Sequence, residues 1–588
     1  MNNYSLNEIL KEDEAKKAPA SAWKKMLPLL RGEKRGLAIA FVAVIANSGL
    51  NLAGPLVIGH AIDRYVVKGD YHGVLVSSGL LLAIYLGAFI ANYIQMRVMG
   101  GVAQRTLWRL RNDLFAKLQE LPLAFFAVNK TGDLISRINS DTDRLNQFFS
   151  QGLMRFAGNI FLIIGAGLFI LFINWQLGVA ALLPAVGIFI FTRLISRLVA
   201  RRNAGSLRAG GLLSAEVQES IANFKVVLAF NRRDYFRSHF AEANQAAFRS
   251  AVGAGYVNEL FTPVFEFAGN VAQLIVLGVG LYLITQGQFA IGLLVSFVLY
   301  VTRFYDPLRE MARLWSTFQV ALAAWDRVSR ILHLSSDLAV IPASEGKKGG
   351  RGVIDFERVS FAYPGGREVL RDASFAFERG KTYALVGPTG GGKTTTASLI
   401  ARLYDPTAGT VYLDGRDIRS YDPAERSKKI GFILQEPFLF SGTVRDNILY
   451  GNPGYAGLSE EALKKVLAEA GLGSLLERFK GGLSASVDAS GALSLGEKQI
   501  IAFVRAVLRK PEILILDEAT ANIDTVTEKI LEDILAKLPP TTTKVVIAHR
   551  LNTIASADDI FFVNAGEIRE AGSMEHAVDM LLHHKRQS

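Results

Sequence analysis

Gly387-Pro388-Thr389-Gly390-Gly391-Gly392-Lys393-Thr394 fits the pattern G-x-x-x-x-G-K-[ST], and its surroundings decide how the C-terminal part of the chain folds. Tyr383-Ala-Leu-Val386 ahead of it reads as a short buried strand, and residues 395–404 behind it, opening on Thr395, read as a helix. Glycines let the backbone wrap its N–H groups around phosphate oxygens, and the helix start adds a favourable partial charge. Lys393 is placed to reach the β- and γ-phosphates, and the Thr394 hydroxyl to ligate Mg²⁺. Taken alone, the stretch also suits a flexible glycine turn before a helix. The rest of the chain has to decide.

With 588 residues the chain is too long for one domain. Half of its residues are hydrophobic and only 20% are charged, fewer than the roughly 25% of soluble proteins. The net charge of +11 would suit a nucleic-acid partner if the basic residues formed one face. They cluster instead between apolar stretches, as positive-inside bias requires, so no nucleic-acid partner is expected. No cysteine is present, which removes disulfide frameworks and Cys-based metal or redox sites. Residues 1–19 are polar and mixed in charge, unlike a secretory signal. Residues 21–31 set Trp23, Met26, Leu27, Leu29 and Leu30 among Lys24, Lys25 and Arg31, the pattern of a helix on a membrane surface or of a plain cap on the first span.

Six apolar stretches, 37–61, 74–96, 157–173, 177–199, 264–284 and 289–305, are each close to the ~20 residues that cross ~30 Å of hydrocarbon. The second and third, like the fourth and fifth, are separated by about 60 residues rich in arginine, from Arg97 to Arg144 and from Arg193 to Arg249. The positive-inside rule places both segments in the cytoplasm. Their helical periodicity predicts that the spans continue below the membrane as stalks. Breaks at 121–133 and near 222–227 predict short transverse elements at the stalk tips, able to dock on a soluble domain or merely to turn the chain. Glu266 stands out because an acid within a span is costly and faces a cavity or a partner. A helical rise puts it at a depth comparable with Arg303, so the two are expected to pair, either lining a substrate cavity or forming a purely structural ion pair.

After a glycine-rich linker, short β-type runs alternate with helices, an α/β pattern. Asp355-Phe-Glu-Arg-Val-Ser-Phe-Ala-Tyr363 reads as a strand whose Tyr363 stacks an adenine or fills the core. Gln435 closes the strand 430–436 and is in place for Mg²⁺ or water, although a lone glutamine means nothing. Ile513-Leu-Ile-Leu-Asp-Glu518 is a buried strand ending in two acids. Asp517 there suits Mg²⁺, and Glu518 suits polarisation of the attacking water; two adjacent carboxylates after such a strand have little structural justification. Leu493-Ser-Leu-Gly-Glu497 opens a helix, as an anion site or as a simple cap. His549 comes directly after a last apolar strand and is in place to contact a γ-phosphate.

In this order the elements resemble an ATP-binding cassette over residues 353–577: the loop 387–394, Gln435, the signature at 493–497, the acids 517–518, the segment 519–524 ending in Asp524, and His549. Six spans ahead of one cassette resemble the half-transporters of the multidrug and lipid exporters. Phe125-Phe126, Thr131-Gly-Asp-Leu-Ile-Ser-Arg137 and Asp141 are similar to that family's membrane domain. The resemblance implies an all-α six-helix membrane domain with long cytoplasmic stalks, fused to an α/β P-loop nucleotide-binding domain. It also implies this division: 1–35, an N-terminal segment with an interfacial helix; 36–332, the membrane domain; 333–352, a linker; 353–577, the cassette; 578–588, a basic tail. Two chains would close head to tail on ATP and Mg²⁺, so that Ser494, Leu495, Gly496 and Glu497 serve the ATP held by the partner, and Asp524 belongs to the loop beside it. Export of amphipathic small molecules, drugs or lipids from a bacterial plasma membrane would result, by alternating access.

Three departures bear on the partner. The signature reads Leu-Ser-Leu-Gly-Glu, where Leu-Ser-Gly-Gly-Gln is the common form. Ala521-Asn-Ile-Asp524 replaces Ser-Ala-Leu-Asp, and Val487-Asp-Ala-Ser-Gly491 stands where Val-Gly-Glu-x-Gly is expected. These variants are similar to the catalytically complete chain of heterodimeric bacterial exporters. A heterodimer is therefore the expectation, with a homodimer open. A nucleotide-gated channel on the same frame is the competing class, and Lys393, Glu518 and His549 favour turnover over gating.

Overall fold

The computed structural model describes residues 26–336, 338, 340–342, 350–479, 481–487, 493–517, 525–547, 554, 557–573, 575–577 and 579–580. Two compact units result. One holds the described residues up to Leu118 and Leu134–His333; the other holds Gln119–Asp133 and the chain from Leu334 onward.

Among the described residues, six helical stretches are long and apolar enough to cross a membrane. The first contains α1 (Lys34–Ala61), entered through a 3₁₀ turn at Leu27–Glu33, and the second is α2 (Tyr71–Glu120). A short α3 (Leu123–Val128) comes next, and then a helical run from Thr131 into α4 (Leu153–Ile173). After these come α5 (Trp175–Ala222), a second short helix α6 (Phe224–Ala229), α7 (Arg233–Glu259), α8 (Phe261–Thr285) and α9 (Ile291–His333). The 50 residues of α2 and 48 of α5 correspond to about 75 and 72 Å of helix, more than twice the ~30 Å of hydrocarbon, so the stalks are continuous with the spans. The breaks fall where they were expected: Pro122 is the extended residue that starts α3, and Asn223 leaves the helical region before α6. Of the surface helix expected over 21–31, residues 21–25 lie outside the described residues, and Leu27–Glu33 form the 3₁₀ turn instead.

Apolar residues such as Phe172 and Phe189 are exposed along the spans, which suits lipid as solvent. Inside the unit, polar side chains tie helices by bonding to backbone carbonyls. The Tyr300 hydroxyl donates to the Leu52 carbonyl, Tyr305 to Ala181 (2.8 Å) and Ser296 to Pro55 (2.6 Å). Where lipid surrounds the helices, each such bond satisfies a group that has no water to turn to. Asp63, in the first outer link, accepts from the backbone N–H groups of Gly292 and Leu293 at the start of α9.

Among the described residues the other unit has two larger sheets and a two-stranded one. Its strands are β1 (Ile354–Ala362), β2 (Glu368–Phe377), β3 (Thr382–Val386), β4 (Ala408–Leu413), β5 (Arg416–Asp417), β6 (Ile430–Ile433), β7 (Gly442–Thr443), β8 (Ser486–Val487), β9 (Ile513–Asp517), β10 (Thr543–Ile547), β11 (Asp559–Asn564) and β12 (Glu567–Glu570). An antiparallel sheet runs β2-β1-β4-β5, and a six-stranded sheet runs β12-β11-β3-β10-β9-β6, with only β12 antiparallel; the two-stranded one is β7-β8. Helices α10 (Lys393–Ile400), α11 (Leu495–Val507) and α12 (Thr525–Ala536) follow β3, precede β9 and follow β9. The helix after the glycine loop starts at Lys393 and is shorter than the span 395–404. Every residue of β9 is buried, as a near-continuous apolar run in a covered parallel sheet should be.

Candidate functional site: a phosphate cradle at one edge of the parallel sheet

Register places the chemistry. Leu385 of β3 pairs with Ile547 of β10, Ile547 with Asp517 of β9, and Leu516 with Ile433 of β6. The chain therefore leaves all four strands at the same edge. The glycine loop, the acids, the loop holding Gln435 and the segment toward His549 all start there, the crevice where open α/β sheets bind ligands. Glu518, Asp524 and His549 lie outside the described residues. Gln435 sits two residues past the end of β6, exposed in the loop rather than on the strand.

Glycine is required in the loop for steric reasons. Gly387, Gly390 and Gly392 have φ of +146°, +83° and +118°, values that L side chains rarely adopt. A Cβ at Gly387 would also run into the Val563 carbonyl, and one at Gly391 would lie 2.6 Å from it. The loop is thus pressed against β11, with its concave side left to backbone. Pro388 and Gly391 close a turn through the Gly391 N–H (3.1 Å to the Pro388 carbonyl), around Thr389 and Gly390.

Lys393 is buried, and its ammonium donates to the carbonyls of Gly387 (2.8 Å) and Pro388 (3.0 Å). Those bonds hold the cation over the loop. The Thr394 hydroxyl lies 3.4 Å from a carboxylate oxygen of Asp517, which is only 3% exposed. A hydroxyl and a carboxylate converging beside the glycine loop are hard oxygen donors of the kind Mg²⁺ takes, so the residues present fit the ion. Tyr363 is half-buried: its ring packs edge-on against Phe361 and Tyr404, and its hydroxyl shares a hydrogen bond with Thr395 (3.0 Å). That bond fixes the ring beside the helix that comes after the loop.

Ser494 caps α11 in a reciprocal box. Glu497 N–H donates to the Ser494 hydroxyl (3.2 Å), while the Ser494 N–H (2.7 Å) and hydroxyl (2.8 Å) donate to the Glu497 carboxylate. This cap starts the helix at Leu495, ahead of the expected 498, and leaves Ser494 exposed together with Leu495. Further along α11, Arg505 belongs to no motif. It donates to the carbonyls of Asn447 (2.8 Å) and Phe438 (3.2 Å) and to the Asn447 side chain (3.0 Å). Burial pushes its pKa below the ordinary guanidinium value. The signature helix thereby grips the loop just downstream of Gln435.

In the membrane unit, Glu266 pairs with Arg309 at 2.7 Å, not with Arg303. Arg309 also reaches Asp306 (3.4 Å), and Gln273 donates to Thr302 (3.0 Å). These residues, with Asn270, line a cavity of about 260 Å³ between α8 and α9. Arg303 is not in its lining.

The family model of the ABC transporter transmembrane region matches residues 37–308, and a second family model, ABC transporter, matches 370–521. A fatty acid ABC transporter ATP-binding/permease protein of Mycobacterium bovis is 33% identical, over 86% of this chain and 79% of its own. An ATP-dependent lipid A-core flippase of Syntrophus aciditrophicus is 31% identical, over 94% and 92%. The solved structure of a bacterial Atm1-family ABC exporter with ATP bound superposes with a TM-score of 0.78 at 26% identity, covering 94% of this chain and 96% of that one.

Proposed function

This chain belongs to the ABC transporters, with transmembrane region and ATP-binding domain in one polypeptide, and from that membership we propose which residues turn ATP over and what crosses the membrane. It is a membrane-embedded exporter, an ATPase coupled to transport whose nucleotide-binding domain is cytoplasmic. The observation that carries the site assignment is the glycine cradle closed by Lys393, with Thr394 and Asp517 converging beside it.

In this reading Lys393 and the loop 387–392 hold the phosphates, Tyr363 stacks the adenine, and Thr394, Asp517 and Gln435 hold Mg²⁺. The bound ion would offset phosphate charge. Glu518 orients and deprotonates the attacking water, and His549 contacts the γ-phosphate. Ser494 and Gly496 complete the partner chain's site, Asp524 flanks it, and Arg505 transmits the position of the signature helix to the Gln435 loop. Two subunits are needed, because Ser494 serves the ATP of another chain. The exposed apolar side chains of α6, Phe224 and Val226, suit cover by a second subunit.

The three departures around the signature support a heterodimer. ATP turnover of the chain purified alone in lipid tests this. ATP binding with turnover at least about tenfold below that of the chain co-purified with the product of the neighbouring reading frame is the expected result. Sustained turnover alone would establish a homodimer, and gating without turnover in either preparation would move the protein to the channel class.

The substrate proposed is an amphipathic molecule or lipid, in keeping with what the mycobacterial and Syntrophus relatives are named for. Glu266 and Asp306 outnumber Arg309 in the cavity lining, leaving one negative charge. Glu266→Gln is expected to weaken stimulation of the ATPase by cationic amphipaths by about tenfold, one charge interaction's worth, with neutral ones unaffected. Equal stimulation of the variant by both would remove Glu266 from substrate recognition.

A further inference from the structure

A second cleft, of about 510 Å³, lies where the chain enters the membrane. Arg31, Lys34, Arg35, Arg105 and Glu33 line it. Glu33 is 7% exposed and is already committed: it accepts from Arg105 (2.8 Å) and from Arg109 (3.1 Å) on α2. One carboxylate thus holds two guanidiniums in place, each still about half exposed. Among the described residues no carboxylate pairs with Arg31, Lys34 or Arg35, all three exposed. Among the described residues, the four basic side chains of the lining and Arg109 behind them thus meet one acid, Glu33, which is already paired.

The cleft has a built floor. A Cβ at Gly36 would lie 2.6 Å from the Val102 side chain, and one at Gly32 would collide with the Arg109 guanidinium. Gly32 in the turn before α1 and Gly36 in the first turn of α1 let this stretch lie close against α2, which keeps the basic groups converging. Height is set by sequence: the apolar run of α1 begins at residue 37, so Arg31–Arg35 occupy the last polar turns before hydrocarbon on the cytoplasmic side. That is the headgroup layer of the inner leaflet. Basic pockets between spans at this level attract anionic headgroups.

We propose that this cleft binds the phosphate group of an acidic glycerophospholipid from the cytoplasmic leaflet, a site separate from the ATP cradle and from the cavity around Glu266. Soluble organic phosphates share the chemistry, but they lack acyl chains to lie along the apolar part of α1. The Glu33–Arg105–Arg109 cluster would act as the rigid back wall, and Arg31, Lys34 and Arg35 as the groups that meet the phosphate.

The test is retention of phosphatidylglycerol against phosphatidylcholine by the full chain, titrated in detergent and read by native mass spectrometry. Wild-type protein should retain phosphatidylglycerol preferentially. R31Q/K34Q/R35Q should bind it about ten- to a hundredfold more weakly, and R31K/R35K, which keeps both charges, should stay within about threefold of wild type. R232Q/R233Q/R237Q removes the same charge from exposed arginines at the far end of a stalk and should leave retention as it was. Equal loss in that control would reduce the effect to net charge and overturn the site. Competition by glycerol 1-phosphate as effective as by the lipid would reassign the cleft to a free anion and overturn the lipid proposal.

Discussion

Glu518→Gln is expected to lower ATP turnover by about 10²–10⁴-fold, the usual worth of a positioned general base, while ATP binding stays within about twofold. The reason lies in β9. Its five residues are buried, and Asp517 at its end is 3% exposed beside Thr394. Asp517 is spoken for by its place beside Thr394 and the expected Mg²⁺, so Glu518, the next carboxylate in sequence, is the one proposed to act on the attacking water. Glutamine matches glutamate in shape and can still orient a water, but it cannot accept the proton. Turnover should therefore fall without loss of the closed, ATP-bound dimer. Lys393→Ala would behave differently, since that ammonium sits over the loop itself and its removal weakens binding as well. Steady-state ATPase and nucleotide binding, measured on the co-purified complex in lipid, separate the two. Turnover by Glu518→Gln above a tenth of wild type would remove the glutamate from the role of base.

What the sequence made legible was whatever local pattern encodes. The glycine loop needs positive φ at named positions, a buried parallel strand reads as an unbroken apolar run, and spans show as ~20-residue apolar stretches. Those features set β3, β9, α10 and the six membrane helices. Tertiary partners were not legible. Arg505 grips Asn447, 58 residues away, and nothing periodic announces it. The partner of Glu266 shows how a sound estimate can choose the wrong residue. At 1.5 Å per residue, Arg309 lies about 30 Å down the sixth span from residue 289, level with Glu266 at about 28 Å from residue 285 on the other side of the same turn. Arg303 lies about 9 Å higher, and six residues of helix rotate it by about 240° relative to Arg309. A loose tolerance on depth admitted Arg303; depth and rotation about the helix axis together single out Arg309.

Asp141 gives the second large effect, on stability rather than catalysis. In the sequence its motif, Thr131 to Asp141, carries only a family resemblance, and the structure supplies the physical reason. Asp141 is 3% exposed and accepts two bonds from Arg327 of α9, at 2.7 and 2.5 Å, and a weaker one from Arg144 (3.3 Å). Arg137, also buried, donates to the Arg327 carbonyl (3.3 Å). The pair ties the helical run behind α3 to α9, across 186 residues of sequence. Asp141→Ala would leave the Arg327 guanidinium without its main acceptor in a site where water reaches it poorly. Breaking a buried pair from one side costs about 3–5 kcal/mol. Because Arg327 is 28% exposed, the lower end, about 3 kcal/mol, is expected, and Arg144, half exposed, adds little. Thermal unfolding of the detergent-purified protein should show a clear loss for Asp141→Ala. Asp141→Leu combined with Arg327→Leu should recover more than half of it, since an apolar pair leaves no charge stranded. If the double variant is as unstable as Asp141→Ala, the ion pair itself holds these helices together, and a stranded charge is not the cause of the loss.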